Sequence, residues 1–150
     1  MHREPSLAYL VADAARARLL LRHGDGRYEV RASFDNEPFR RPRHDTRGRA
    51  FAPTGSARSA IGGRDRDREK MRSTFAGEVA AGVERSLAGA GVERLALVAP
   101  PRMLAALRSR LGPETARRVV VELARDLTKL PEAALRETLA DLVLLRDLQA

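Results

Sequence analysis

The chain has 150 residues and contains no cysteine. A disulfide framework, a thiolate metal site and redox chemistry at sulfur are therefore excluded. Aromatic residues make up only 4% of the chain, and tryptophan is absent. Because 43% of the residues are nevertheless hydrophobic, we expect one domain over residues 1–150 with a core made mostly of Leu, Val and Ala.

Long hydrophobic runs are also absent. The apolar stretch from Leu7 to Val11 meets Asp13 well before the length that a signal peptide or a membrane span needs. We therefore expect a cytoplasmic protein with no membrane span.

Motifs for nucleotide binding, hydrolysis and metal binding are absent from the sequence as well. No glycine-rich phosphate loop opens a helix, no serine nucleophile elbow occurs, and the three histidines stand far apart. We predict no metal site and no cofactor.

Positive charge, by contrast, is abundant. Lys and Arg number 28 against 20 Asp and Glu, which gives a net charge of +8. The stretch from Arg40 to Arg72 contains eleven basic and four acidic residues, so it carries +7 of that total. Arginine forks onto two phosphate oxygens at once, and the surplus favours RNA, the ribosome or another anionic surface or protein as partner. A genomic bias towards Arg, Ala and Leu explains the same composition without any ligand.

The first third of the chain predicts three strands. Apolar runs at 7–12 and 17–21 are joined by a short polar link, which favours a hairpin. Asp25 and Gly26 then offer a tight turn into residues 27–34, which alternate polar and apolar side chains as a half-buried strand does.

Periodicity is absent from about residue 36 to residue 68, where prolines and glycines recur. The pattern predicts a long, flexible basic loop, which is either a solvated disordered segment or a phosphate-binding arm. The candidate anion-binding or nucleic-acid-binding residues are Arg40, Arg41, Arg43, Arg47, Arg49, Arg64, Arg66 and Arg68.

After this loop, apolar spacing predicts a helix from about Glu69 to Gly89, a strand at 95–99, a helix around Leu104, a strand at 119–123 and a last helix that opens at Pro131. The predicted fold class is α/β. It has a mixed sheet of about five strands, a three-stranded antiparallel meander followed by two parallel strands, covered by three helices. Such an order is that of ribonuclease H-like domains.

A two-metal nuclease is one enzymatic possibility, since ribonuclease H-like sheets hold Mg²⁺ with carboxylates. Asp13, Glu78 and Asp126 are the candidate ligands. The fourth strand, however, ends at Ala99 without the acidic residue that such a site needs. We therefore expect no catalytic residues and no enzymatic activity, with a degenerate nuclease as the third-ranked alternative.

Four segments carry a resemblance to a known family: residues 10–18, 45–51, 98–104 and 125–128. In these segments the chain resembles the bacterial host attachment protein family, named as required for attachment to host cells. The resemblance implies a non-enzymatic role in attachment of the bacterial cell to host cells or surfaces. Because no export signal or membrane anchor is recognised in the sequence, we expect this role to be indirect and exercised from inside the cell. The motif residues are Asp13, Asp45, Gly48, Arg49, Pro100, Pro101, Asp126, Leu127 and Thr128.

That family is similar in turn to the middle domain of archaeal and eukaryotic translation termination factors and of Pelota-type ribosome rescue factors. This similarity implies the alternative function of an RNA-binding or ribosome-binding protein that acts through the Arg-rich loop. The termination factors carry a Gly-Gly-Gln loop between the third strand and the first helix. Gly62, Gly63 and Arg64 occupy that place here, so the glutamine that directs peptide release is missing.

Overall fold

A computed structural model describes residues 6–40 and 54–149. Five strands form one sheet. Their bounds are β1 Ser6–Ala12, β2 Arg16–Arg22, β3 Tyr28–Asp35, β4 Val92–Val98 and β5 Val119–Leu123. The predicted β-strands are thus all present, and the β2–β3 turn contains Gly26 with a φ of 90°, which glycine adopts at no steric cost.

The strand order in the sheet is β3-β2-β1-β4-β5. The first three strands pair antiparallel as a meander, whereas β4 lies parallel to both β1 and β5. The fold class is therefore confirmed as a mixed α/β sheet of ribonuclease H-like topology. Strand β1 is central, with a neighbour on each side.

Five helices occur in the described ranges. Their bounds are α1 Glu37–Arg40, α2 Thr54–Leu87, α3 Pro101–Arg110, α4 Pro113–Arg118 and α5 Glu132–Gln149. Three of them, α2, α3 and α5, are the predicted helices, and α1 and α4 are short additions. Helix α2 ends before Gly89 and Gly91, whose φ values of 73° and 75° lie in the left-handed region that suits a helix stop.

The predicted loop over residues 36–68 is the main correction. Residues 54–68 form the first part of α2, and residues 37–40 form α1, so the structure contradicts a loop at these positions. Residues 41–53 of the predicted loop lie outside the described ranges. The prediction rested on the lack of apolar periodicity and on the recurring prolines and glycines, but a helix needs an apolar stripe only along the part that packs on other elements. Gly62 and Gly63 are tolerated there at a cost of about 1 kcal/mol each relative to alanine.

Helices cover both faces of the sheet. One face packs Leu10, Leu19 and Leu97 against α2 and α3, and the other packs Tyr9, Val11 and Val98 against α5. Because β1 and the second half of β4, from Leu95 to Val98, are covered on both sides, they consist almost entirely of apolar residues rather than alternating ones. The core on both faces of the sheet therefore consists mostly of aliphatic side chains and contains few aromatic rings.

Helices α2 and α3 pack side by side. Strand β4 lies between them in the chain and runs in the opposite direction to both, so the two helices point the same way. Helix α2 has 34 residues and is about 50 Å long at 1.5 Å per residue. Of the helices in the described ranges, none combines the length and the apolar character needed to cross a membrane.

Candidate functional site

The carboxyl ends of the parallel strands β1, β4 and β5 meet at one edge of the sheet, which we call the carboxyl edge. Three loops leave this edge, and each contains part of the family motif. Asp13 follows β1, Pro100 and Pro101 follow β4, and residues 126–128 follow β5. The fold thus brings together motif residues that lie far apart in the chain.

The Asp13 side chain shapes the turn between β1 and β2. Its Oδ1 atom accepts hydrogen bonds from the backbone N–H groups of Ala15 at 2.7 Å and Arg16 at 2.8 Å. The Asp13 N–H donates in turn to the Arg16 carbonyl at 2.9 Å. Aspartate suits this position because its short carboxylate mimics a backbone turn. One of its two oxygens is therefore already used by the local backbone.

The other Asp13 oxygen reaches the loop after β5. The Thr128 hydroxyl lies 2.8 Å from Asp13 Oδ2 and is also in hydrogen-bond contact with Asp126 Oδ1. Asp126 Oδ1 additionally accepts the Thr128 backbone N–H at 2.9 Å. A hydroxyl has one proton, so Thr128 donates to one carboxylate at a time. Thr128 thereby joins two loops whose residues are 115 positions apart.

Leu127 and the two prolines complete the edge as structural residues. Leu127 is buried between the sheet and α5, which anchors the loop between its two polar neighbours. Pro101 occupies the first turn of α3, and the Pro100 carbonyl accepts the Leu104 N–H at 2.8 Å. Proline suits this junction because its fixed φ favours helix entry and its missing N–H would have no partner there. The Pro-Pro pair is thus a strand-to-helix junction.

Charged side chains surround the carboxyl edge. Arg18 of β2 pairs with Glu132 at the start of α5 at 2.6 Å, and this hydrogen bond keeps the pKa of Glu132 below its usual range. Glu69 of α2 pairs with Arg72 at 2.6 Å and lies 4.0 Å from Arg102 of α3. The Arg102 side chain is 78% exposed. It therefore presents positive charge to solvent at the first turn of α3.

Phe39 of α1 connects the basic part of α2 to the body of the domain. The guanidinium carbons of Arg68 and Arg72 lie 4.3 Å and 5.8 Å from the centre of its ring, within cation–π range. The Arg72 side chain is only 11% exposed. Part of the positive charge predicted for anion binding is therefore engaged within the protein.

The predicted basic residues are divided by the structure. The backbones of Arg40, Arg64, Arg66 and Arg68 lie in α1 and α2 rather than in a loop. Arg66 is exposed and Arg68 is half-buried. The remaining candidates fall on residues 41–53 and so lie outside the described ranges: Arg41, Arg43, Arg47 and Arg49, with the motif residues Asp45 and Gly48.

Of the three carboxylates considered for a nuclease, Asp13 and Asp126 meet at Thr128, and Glu78 is exposed on α2. In residues 6–40 and 54–149, no group of three or more His, Asp or Glu side chains is placed to hold a metal ion. The polar groups of the carboxyl edge hold its own loops in place, and charged side chains lie at its rim.

Sequence reasoning missed three of these contacts. The Glu69–Arg72 pair lies within the predicted helix and has the spacing at which helical residues are neighbours, so this contact could have been predicted from the sequence. The contacts of Thr128 with Asp13 and of Phe39 with Arg68 join separate elements, and no local pattern signals them.

Comparison with known proteins places the chain in a family. The family model described as "Protein required for attachment to host cells" matches residues 9–139. The chain therefore belongs to this family. No curated protein sequence matches it. Among solved structures, the crystal structure of an archaeal translation termination factor aligns with 96% of this chain at 15% identity and a TM-score of 0.45. The chain spans 40% of the length of that protein.

Proposed function

We propose that this protein is a non-enzymatic factor that supports attachment of the bacterial cell to host cells or surfaces, indirectly and from the cytoplasm. The observation that carries the proposal is the family match over residues 9–139, which includes all three loops of the carboxyl edge. The family description names the process, and the mechanism below is our inference.

The polar groups of the carboxyl edge support a non-enzymatic role. Asp13 is engaged by two backbone N–H groups and by Thr128, and Asp126 is engaged by the Thr128 hydroxyl and N–H. These hydrogen bonds stabilise the loops of the edge, which is a structural use of such carboxylates and fits a protein that acts by binding.

The positive charge supports action through an anionic partner. Residues 40–72 carry +7 of the net +8 charge, and this stretch includes the first part of α2. Arg66 is exposed on α2, and Arg102 is exposed at the start of the neighbouring helix α3. We infer that these residues bind a polyanion or an acidic protein inside the cell, and that loss of this contact impairs attachment.

An adhesion assay with a gene deletion tests the proposal. We expect fewer adherent bacteria per host cell after deletion, with restoration by the wild-type gene. A variant with Arg47, Arg49, Arg64 and Arg66 changed to serine is expected not to restore adhesion. A charge-matched control with four exposed arginines elsewhere changed to serine is expected to restore it; these are Arg27, Arg85, Arg117 and Arg136. Unchanged adhesion after deletion would contradict the attachment role.

Cell fractionation tests the cytoplasmic part of the proposal separately. Immunoblots are expected to find the protein in the lysate and not on washed, intact cells. Abundant protein on the surface of intact cells would contradict indirect action and favour direct contact with the host.

RNA or ribosome binding is the second candidate, favoured by the concentration of arginine in one segment of the chain. Phosphate contacts give an affinity that falls steeply with salt. We expect binding to ribosomal RNA at low salt, with a log–log salt slope that falls by about 3 when Arg47, Arg49, Arg64 and Arg66 are changed to serine, at about 0.7–0.9 per phosphate contact. Absence of binding at low salt, or binding that is unchanged in the variant, would contradict this candidate.

A further inference from the structure

A second polar cluster lies at the opposite edge of the sheet, where β1 begins. Arg22 of β2 and Arg94 of β4 are both in register with Leu7 of β1. Side chains of paired residues lie on the same face of a sheet, so both arginines flank Leu7 on the face that α5 covers. Two strand spacings separate their Cα atoms by about 10 Å. Tyr28 of β3 pairs with Arg22 and extends the row.

Neither arginine has a carboxylate partner among the side chains that the structure describes. Arg18 lies on the same strand and face as Arg22, and it pairs with Glu132 at 2.6 Å. Arg22 and Arg94 are both half-buried, yet no ion pair joins either of them to an acidic side chain in the described part of the chain. Withdrawing a guanidinium from water without a partner is unfavourable. Two such groups on one face are suited to hold an anion.

Two buried polar atoms in this cluster lack hydrogen bonds. They are Arg22 Nε and the Tyr28 hydroxyl. Among the described residues, these two are the buried side-chain nitrogen and oxygen atoms without a hydrogen-bond partner. The neighbouring Tyr9 hydroxyl donates to the Leu139 carbonyl at 3.2 Å. Burial raises the pKa of Tyr9 above its usual range, and the nearby Tyr28 adds to this effect. More than nine in ten buried polar groups in proteins have a partner, so these two exceptions need an explanation.

We propose that Arg22, Arg94 and Tyr28 form a binding site for a phosphate group, either inorganic phosphate or a phosphate monoester. Two guanidinium groups match the charge of a phosphate dianion, and their forked N–H groups match its oxygens. The Tyr28 hydroxyl supplies a further donor. The site is separate from the basic segment at residues 40–72 and does not depend on the proposed attachment role.

A structural role for the two arginines is the competing explanation. Helix α5 begins beside Arg18 and passes Tyr9 at Leu139, so its last turns run towards Arg22 and Arg94. Cations are stabilised near the carboxyl end of a helix. The two explanations differ in what happens to stability when an arginine is removed in the absence of phosphate.

Calorimetric titration of the full chain with sodium phosphate at pH 7.5 tests the proposal, with sodium chloride of equal ionic strength as reference. We expect saturable binding of phosphate to the wild-type protein. Arg22→Gln and Arg94→Gln are each expected to weaken it at least tenfold, and Tyr28→Phe several-fold. Arg85→Gln, at an exposed position of α2, is the matched control and should bind as the wild type does. Titration with a nucleoside monophosphate distinguishes the sources, since tighter binding than inorganic phosphate identifies a monoester site.

Thermal unfolding of the same variants in phosphate-free buffer separates a loss of phosphate binding from a loss of protein stability. If the site is unoccupied under these conditions, removal of an unpaired group leaves the melting temperature unchanged or raises it. The proposal is overturned if the wild-type protein does not bind phosphate, or if the glutamine variants bind it as well as the wild type. It is also overturned if those variants melt at a lower temperature while phosphate binding is unchanged, because the arginines then serve α5.

Discussion

Replacement of Thr128 by valine tests whether the carboxyl edge is held together by a single hydroxyl. Valine has nearly the same shape as threonine, so the substitution removes the hydrogen bond without creating a cavity. In the wild-type protein this hydroxyl lies 2.8 Å from Asp13 Oδ2 and also contacts Asp126. After the substitution, the two carboxylates face each other across an apolar methyl group.

The expected loss of stability in Thr128→Val follows from the kind of hydrogen bond that is removed. A hydrogen bond to a charged group contributes about 1.5–3 kcal/mol to the free energy of unfolding. For a domain of this size, we expect the melting temperature of Thr128→Val to fall by about 3–12 °C, at about 2–4 °C per kcal/mol. Thr128→Ser retains the hydroxyl and is expected to lose less than about 1 kcal/mol, within the range of a mild substitution.

Circular dichroism during thermal and urea unfolding measures these differences. Asp13→Asn is a useful companion, because its amide oxygen still accepts the N–H groups of Ala15 and Arg16 and its NH₂ group can donate to Thr128. We expect this variant to stay within about 1 kcal/mol of the wild type, whereas Asp13→Ala loses the turn and is less stable. A Thr128→Val protein as stable as the wild type, or one no less stable than Thr128→Ser, would refute the structural role of the hydroxyl.

Two further predictions concern the core. A methyl group at Gly82 would lie 2.2 Å from the Phe34 ring, whereas at Gly77 the nearest atom is the movable end of Arg110 at 3.1 Å. We expect Gly82→Ala to destabilise by about 1–2 kcal/mol after the gain in helix propensity, and Gly77→Ala to be neutral or stabilising by up to about 1 kcal/mol; urea unfolding that moves both in the same direction would contradict this. The buried Tyr9 has a pKa raised above its usual range, chiefly by desolvation. Because the unfolded chain loses this proton near pH 10 and the folded chain keeps it, stability is expected to fall as pH rises above about 10. This alkaline decline should be smaller in Tyr9→Phe, and identical slopes from pH 8 to 11 would count against the assignment.

The arrangement of strands could be predicted from local sequence because each relevant pattern is short. The alternation over residues 28–34 and the apolar runs of β1 and β4 report burial on one or both faces of a sheet. The connections then imply which neighbours are antiparallel and which are parallel. The first part of α2 lacks such a pattern, and for that reason the sequence predicted a loop there.

The candidate sites depend on contacts that local sequence does not encode. The family motif could be recognised as separate segments, but its convergence at the carboxyl edge requires the order β1-β4-β5. The partnership of Thr128 with Asp13 spans 115 residues, and the row from Tyr28 through Arg22 to Arg94 arises from the register of four strands. The periodicity of apolar residues in the sequence indicates which face of a helix or strand is buried. The choice of partner for a polar side chain is made by strand register and helix packing, which operate between elements that are distant in the chain.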